Sequence, residues 1–436
     1  MNIIEIIEKK KNGFELTDKE INFFIGGCTT GKIANYQISA LLMAICINGM
    51  TNTEIFSMTK HMASSGICLK WSGIDGIIAD KHSSGGVGDK TTPIVVSVVT
   101  ACGVKMVKMS GKGLGFTGGT IDKLSAITNF RTDYNTDEIN NIVNNIGAYM
   151  GGQTHDLAPA DKKLYCIRDV TGTVNSIPLI ASSIMSKKIA SGANILVLDV
   201  KAGGGAFMKN ANEAQKLAEL MVNIGNAAGI KTCAVVTDMS EPLGCAVGNA
   251  LEIKEIIDIL KGKSKDKRLY NICVILSAYI LILSKKAADF DDAYHIAEKA
   301  LKSGQAFRQF YNIVQAQGGD VRLLEDISLF PRAKFIGEII SEKNGYVQNI
   351  DCESIGKISL LSGAGRIRAE DVIDYSSGVV LHKKCGDSVL KGEVIAEYHT
   401  NRMECVDEIK SGIAGAYHIG KEKPENIPLV YKTIMK

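Results

Sequence analysis

Two glycine-rich segments concentrate the chemistry of this chain: Lys81-His-Ser-Ser-Gly-Gly-Val-Gly-Asp-Lys90 and Lys108-Met-Ser-Gly-Lys-Gly-Leu-Gly-Phe-Thr-Gly-Gly-Thr-Ile-Asp-Lys123. Glycine lets successive backbone N–H groups turn into one concavity, while lysine and hydroxyl side chains add charge and further donors. Such a loop holds phosphate. The plainer alternative for either loop alone is a tight turn with solvated lysines, but each follows an apolar run of β type. Ile77-Ile-Ala precedes the first, and Pro93-Ile-Val-Val-Ser-Val-Val leads through Val104-Lys-Met-Val to the second. Loops at strand ends are where α/β sheets place ligands.

Gly113, Gly115 and Gly118 match G-x-G-x-x-G. That dinucleotide fingerprint also needs a strand–turn–helix unit and an acidic residue about 20 positions on. The first loop lacks the G-x-x-x-x-G-K-[ST] spacing of triphosphate loops, so inorganic phosphate or a single phosphoryl group fits better. Downstream, Tyr165 and Arg168 are three apart, and Ser183 and Lys187 are four apart, so each pair shares a helical face that could project into a cleft. The alternative is that Arg168 and Lys187 are solvated helix charges.

With 436 residues the chain exceeds a single compact core, which predicts two or three domains. Fifty basic and 47 acidic residues nearly cancel, giving no reason to expect a nucleic-acid or membrane surface. Eleven cysteines are scattered without C-x-x-C pairs, which argues against a disulfide framework or zinc site and for reduced thiols in a cytoplasmic setting. The N-terminus is charged too early for a signal peptide. Ile272 to Leu283 is apolar but too short to cross a bilayer, and is predicted as a buried helix.

The positioning elements follow from periodicity. Residues 1–65 read as helical, with Thr17-Asp-Lys-Glu20 as a capping box. Residues 66–76 turn β-like, and beyond Ile77 short apolar runs alternate with amphipathic helices such as Thr136 to Ile146. Asp161 to Gly192 is predicted helical. Ile195-Leu-Val-Leu-Asp-Val200 and Ala234-Val-Val-Thr-Asp238 read as continuous apolar strands of a parallel sheet. After Pro331, Gly345 to Ile350, Ile358 to Gly365 and the run from Gly386 suggest short strands in a β-rich module.

Quoted in order, Lys81 to Asp89, Met109 to Leu124, Leu157 to Thr171 and Asn175 to Lys188, with Gly363-Ala-Gly-Arg and Leu381-His-Lys-Lys, resemble the pyrimidine nucleoside and thymidine phosphorylase family end to end. The resemblance implies an α/β fold: a small discontinuous helical domain plus a large mixed α/β domain with a C-terminal β-rich module. The expected boundaries are 1–65 and 161–192 for the helical domain, 66–160 and 193–335 for the α/β domain, and 336–436 for the module.

By the same resemblance, a pyrimidine nucleoside and inorganic phosphate are the small-molecule substrates, no organic cofactor is needed, and the enzyme is a homodimer. Lys81, His82, Ser83, Thr92, Lys108, Met109, Ser110 and Thr120 match phosphate positions; Tyr165, Arg168, Ser183 and Lys187 match base-binding positions. His82, Arg168 and Lys187 are the catalytic candidates, with a plain structural role the alternative for His82. Asp80, Asp89 and Asp122 are expected to orient lysines and backbone. Gly88, Leu243, Ala246 and Glu255 match a potassium site, but Lys90 stands where that branch carries Thr, so an ammonium could replace the ion. Lys112, Phe116 and Ser125 depart from the usual Arg, His and Glu, which reads as joint loss of a support pair. The Lys108 context favours broad uridine and thymidine use over thymidine restriction. Two rivals are an anthranilate-type phosphoribosyltransferase and a silent nucleoside-binding homologue.

Overall fold

Strands that are apolar on both faces require cover on both. The computed structural model, which describes residues 1–113, 117–152, 156–264, 266–366, 368 and 370–436, is built around a sheet of this kind. In chain order the strands are β1 Ile78–Ser83, β2 Lys105–Ser110, β3 Ala148–Gly152, β4 Ile195–Ala202, β5 Lys231–Asp238, β6 Ala246–Val247, β7 Phe335–Ile340, β8 Gly345–Ile350, β9 Gly378–Leu381, β10 Ser388–Val389, β11 Val394–Thr400, β12 Tyr417–Gly420 and β13 Val430–Met435. The large sheet runs β13-β5-β4-β1-β2-β3, parallel except for β13, which pairs antiparallel with β5. Every residue of β4 is buried. One core packs helices Thr91–Ala101, Asn249–Leu260, Lys267–Leu283 and Gln305–Ala316 against this sheet.

The segment 93–99 is helical, contrary to its β-type reading. Pro93 falls in the first turn of helix Thr91–Ala101, where its missing N–H costs nothing, and Asp89 accepts from the Thr91 amide (3.2 Å) and hydroxyl (2.7 Å). Residues 91–100 are all buried, and burial outweighs the weak strand preference of valine. Residues 66–76 form no strand; their glycines mark turns instead. Ile358 to Gly365, read as a strand, is the end of helix Cys352–Ser359 and a wide turn at 360–364. The predicted helix 161–192 is two helices, Pro159–Asp169 and Ile177–Ala190, with Pro178 opening the second.

Helices Ile3–Lys11, Asp18–Thr30, Asn35–Asn48 and Asn52–Ala63 share a separate core with Leu164, Ile167 and Leu179 from those later helices. The Thr17–Glu20 capping box forms as the sequence predicts. A second box at Thr51 places Glu54 inside the bundle, where its carboxylate takes Lys10 Nζ at 2.8 Å and the amides of Leu16 and Thr51 at 2.8 and 2.7 Å. Two small sheets, β6-β9-β11-β7 and β10-β8-β12, pack with helices Cys352–Ser359 and Val406–Ala416 into a C-terminal module. The expected extent of that module, 336–436, misses that residues 430–435 leave it to join the large sheet. Among the described residues, no helix is long and apolar enough to cross a membrane.

Removing the Glu54 carboxylate strands a buried ammonium. Glu54→Ala is therefore expected to destabilise the protein by about 3 kcal/mol, read as a lower urea midpoint, with Glu54→Gln losing less because it still accepts hydrogen bonds.

Candidate active site

The carboxyl ends of β1, β2 and β4 lie side by side, with Ser83 level with Asp199 and Lys81 level with Val197. Past Ser83 the chain bends sharply. Gly88 has φ +74°, and a Cβ there would lie 2.7 Å from the Leu243 carbonyl, so this turn needs glycine. Lys81 Nζ donates to Thr91 Oγ1 at 2.6 Å and lies 3.5 Å from Asp199 Oδ2, which also pairs with Lys201 at 2.8 Å. Beside them, Asp80 receives Lys188 at 2.7 Å and stands 3.6 Å from Lys108. Lys108 and Lys188 both donate to the Met109 carbonyl.

Burial and neighbouring charge shift three groups at this floor. Burial, reinforced by Lys188 and Lys81 against the opposing pull of Asp80, brings Lys108 down to about 7. His82 is held well below its ordinary value by burial and by Lys188, Lys108, Lys187 and Lys81, so its imidazole is neutral. Burial pushes Asp89 up, but Lys81, Lys201 and Lys123 outweigh it and keep the carboxylate ionised.

The second glycine loop leaves β2 at Ser110 and returns to the short helix Thr120–Leu124. A Cβ on Gly119 would collide with the Gly113 amide, so the two ends of the loop touch. Lys123 links this helix to the first loop, donating to the Asp89 carbonyl at 2.5 Å and pairing with Glu252 at 2.8 Å. Of the three departures, Lys112 is exposed and the Ser125 hydroxyl turns back to the Ile121 carbonyl at 2.8 Å. Phe116, like Gly115 of the glycine pattern and the segment 153–155, lies outside the described residues.

A cleft of about 1210 Å³ separates these loops from the helical bundle. His82, Ser83, Thr92, Lys108, Met109, Ser110 and Thr120 line one side, and Tyr165, Arg168, Ser183 and Lys187 line the other. Lys81 sits buried beneath the floor. Arg168 is no solvated helix charge: its guanidinium donates to the carbonyls of Thr173 (3.3 Å), Leu179 (3.1 Å) and Val174 (2.7 Å) and lies 5.9 Å from the Tyr165 ring. Lys187 pairs with Asp161 at 2.7 Å and reaches Ser183 Oγ at 3.5 Å. Sequence spacing missed the counter-charges Asp161, Asp199 and Lys201 and the Lys188–Asp80 pair. A charged residue inside an otherwise apolar strand, as in Leu198-Asp-Val-Lys201, was the available signal.

The positions matching a potassium site surround Lys90. Its ammonium donates to the Leu243 and Ala246 carbonyls, each at 2.8 Å, and to Glu255 at 2.7 Å. Burial pulls its pKa down, but Glu255 and Glu252 hold it above the ordinary lysine value. The oxygens that would ligate potassium are thus engaged by a permanent cation, and the residues do not fit a second one.

Residues 4–66 match the family described as "Glycosyl transferase family, helical bundle domain", 75–307 match "Glycosyl transferase family, a/b domain", and 346–420 match "Pyrimidine nucleoside phosphorylase C-terminal domain". The chain is 47% identical over 434 residues to a pyrimidine-nucleoside phosphorylase of Geobacillus stearothermophilus, covering all of both chains. It is 48% identical over 422 residues to one of Bacillus subtilis, covering 97% of each. Among solved structures, an anthranilate phosphoribosyltransferase from Thermus thermophilus superposes with a TM-score of 0.58 at 16% identity, over 71% of this chain and 98% of that one, a likeness of fold. Full-length identity near one half, joined to two glycosyl transferase segments and the phosphorylase C-terminal segment, makes this chain a member of the pyrimidine-nucleoside phosphorylase family.

Proposed function

We propose that this protein catalyses the reversible phosphorolysis of pyrimidine nucleosides, uridine, thymidine and deoxyuridine among them. The products are the free base and α-D-ribose or deoxyribose 1-phosphate. The observation that carries this reading is one cleft with ammonium, hydroxyl and amide donors on one wall and Arg168, Ser183 and Lys187 on the other. Phosphate held by Ser83, Thr92, Lys108, Ser110 and Thr120, with the Lys81 charge buried beneath them, attacks the anomeric carbon through one of its oxygens. The C1′–N1 bond breaks and its electron pair leaves with the base.

Arg168 and Lys187 stabilise that departing anion more than the neutral ground state, which is the binding that accelerates a reaction. Neutral His82 can donate a hydrogen bond to the base O2. Tyr165 packs beside the ring. Tyr165 and Arg168 stand on a helix of the bundle core, apart from the sheet core beneath the glycine loops, and closure of the cleft is the step that brings phosphate to the sugar. Exposed Tyr36, Ile47 and Val170 on the helical part suit pairing with a second copy, and free thiols throughout suit a cytoplasmic enzyme.

Base release from uridine, thymidine and deoxyuridine, with and without phosphate, tests the activity. Release from both uridine and thymidine, only with phosphate, is expected. Release from deoxynucleosides alone would restrict the enzyme to the thymidine type, and none at all would favour a transferase or silent binder.

Because Lys90 serves as the cation, equal rates in sodium and potassium buffers are expected, while Lys90→Thr acquires a potassium requirement. A strong potassium dependence of the unaltered protein would reject this.

A third expectation concerns pH. Bound phosphate restores the charge of Lys108, so binding takes up a proton above pH of about 7, where the empty site has lost it. Phosphate affinity should therefore weaken as pH rises beyond about 7, against the opposing effect of phosphate's own ionisation. Calorimetry at pH 8 in two buffers of different ionisation enthalpy should report the uptake, and Lys108→Met should abolish it.

A further inference from the structure

The second glycine loop is held from outside its own domain. Arg366 leaves the C-terminal module just past the 360–364 turn, and its Nη1 lies 2.8 Å from Asp122 Oδ1, a partner 244 residues away in sequence. The other oxygen of the same carboxylate, Oδ2, accepts the Gly113 amide at 2.6 Å. Asp122 is two residues beyond Thr120 on the short helix that ends the loop, and Gly113 is three residues beyond Ser110 at its start. One carboxylate thus ties the outgoing arm to the returning arm, and one guanidinium orients that carboxylate.

The surroundings make the contact consequential. The Asp122 side chain is 4% exposed and that of Arg366 16%. The space between loop and module, lined by Gly113, Gly118 and Asp122 on one side and Ala364, Gly365 and Arg366 on the other, measures only about 20 Å³. That is room for about one water. Asn249 Nδ2 donates to the Ala364 carbonyl at 2.7 Å, fixing the segment from which Arg366 springs. Without the guanidinium, a buried carboxylate keeps the Gly113 amide as a donor but loses its counter-charge, and it would turn toward solvent, releasing that amide.

We propose that Arg366 is a positioning residue for phosphate capture: by orienting Asp122 it holds Gly113 against the helix Thr120–Leu124 and so sets Ser110 and Thr120 for the anion. The proposal rests on reading the second glycine loop as the phosphate site.

The test uses the full chain with Arg366→Gln, Arg366→Lys, Asp122→Asn and the Arg366→Gln/Asp122→Asn double variant. Base release is measured with phosphate varied at saturating uridine and with uridine varied at saturating phosphate. Arg366→Gln should raise the phosphate KM roughly tenfold and leave the uridine KM within about twofold. Arg366→Lys should recover most of the loss, and the double variant should be no worse than the poorer single, because the pair acts as one unit. An unchanged phosphate KM with only kcat lowered, or additive single effects, would overturn the proposal; should Arg366→Gln not fold, Asp122→Asn alone decides by the same criterion. The rise in Tm on adding inorganic phosphate reads binding without turnover. If the unaltered protein shows that rise but releases no base, the functional reading fails while loss of the rise in Arg366→Gln still upholds the role of Arg366, and its retention rejects it.

Discussion

Keeping several ammonium groups dry and close together is the constraint on which this structure depends. Lys81, Lys108 and Lys201 on neighbouring strands and Lys188 on helix Ile177–Ala190 are all at most 3% exposed, and Asp80 and Asp199 within the strands are their buried counter-charges. Such a cluster is stable only where opposite charge is fixed by rigid backbone. A parallel sheet provides that, since its strand register sets Asp80 and Asp199 to within a residue. Asp89, kept ionised against burial by Lys81, Lys201 and Lys123, is a third carboxylate beside them. An oxyanion arriving at these strand ends would meet donors that need not reorganise.

The opposite wall solves a different problem. Arg168 must stay cationic and in place, yet burial draws its pKa down. Three carbonyls hold its guanidinium fork, two of them, Thr173 and Val174, in the break at residues 170–176, where a continuous helix would have spent them on its own amides, and the third, Leu179, in the first turn of the second helix. Lys187 is steadied by Asp161 from the first of those helices. The interruption thus builds the site.

Much of this was legible in the chain. The glycines announced the tight turns and close approaches at Gly88 and Gly119, and continuous apolar strands announced the buried parallel sheet. The capping box at Thr17 and the amphipathic helix from Thr136 emerged at their expected positions. What failed did so for physical reasons. Val95, Val96, Val98 and Val99 read as strand because β-branching is a local preference, whereas their helix is buried on every side by the tertiary fold. The pairings of Lys188 with Asp80 and of Arg366 with Asp122 were illegible because sequence carries no distance between residues 108 or 244 positions apart.

The antiparallel strand β13 has a consequence for how the protein is made. It covers the outer edge of β5, yet it is synthesised only after the whole C-terminal module has emerged. Until then β5 offers a row of unpaired amides and carbonyls flanked by valines, the kind of edge on which foreign strands template. Folding on the ribosome must therefore pass through a form whose central sheet is open on one side. The last strand acts as its seal, and a nascent chain stalled before residue 430 would be left prone to aggregation.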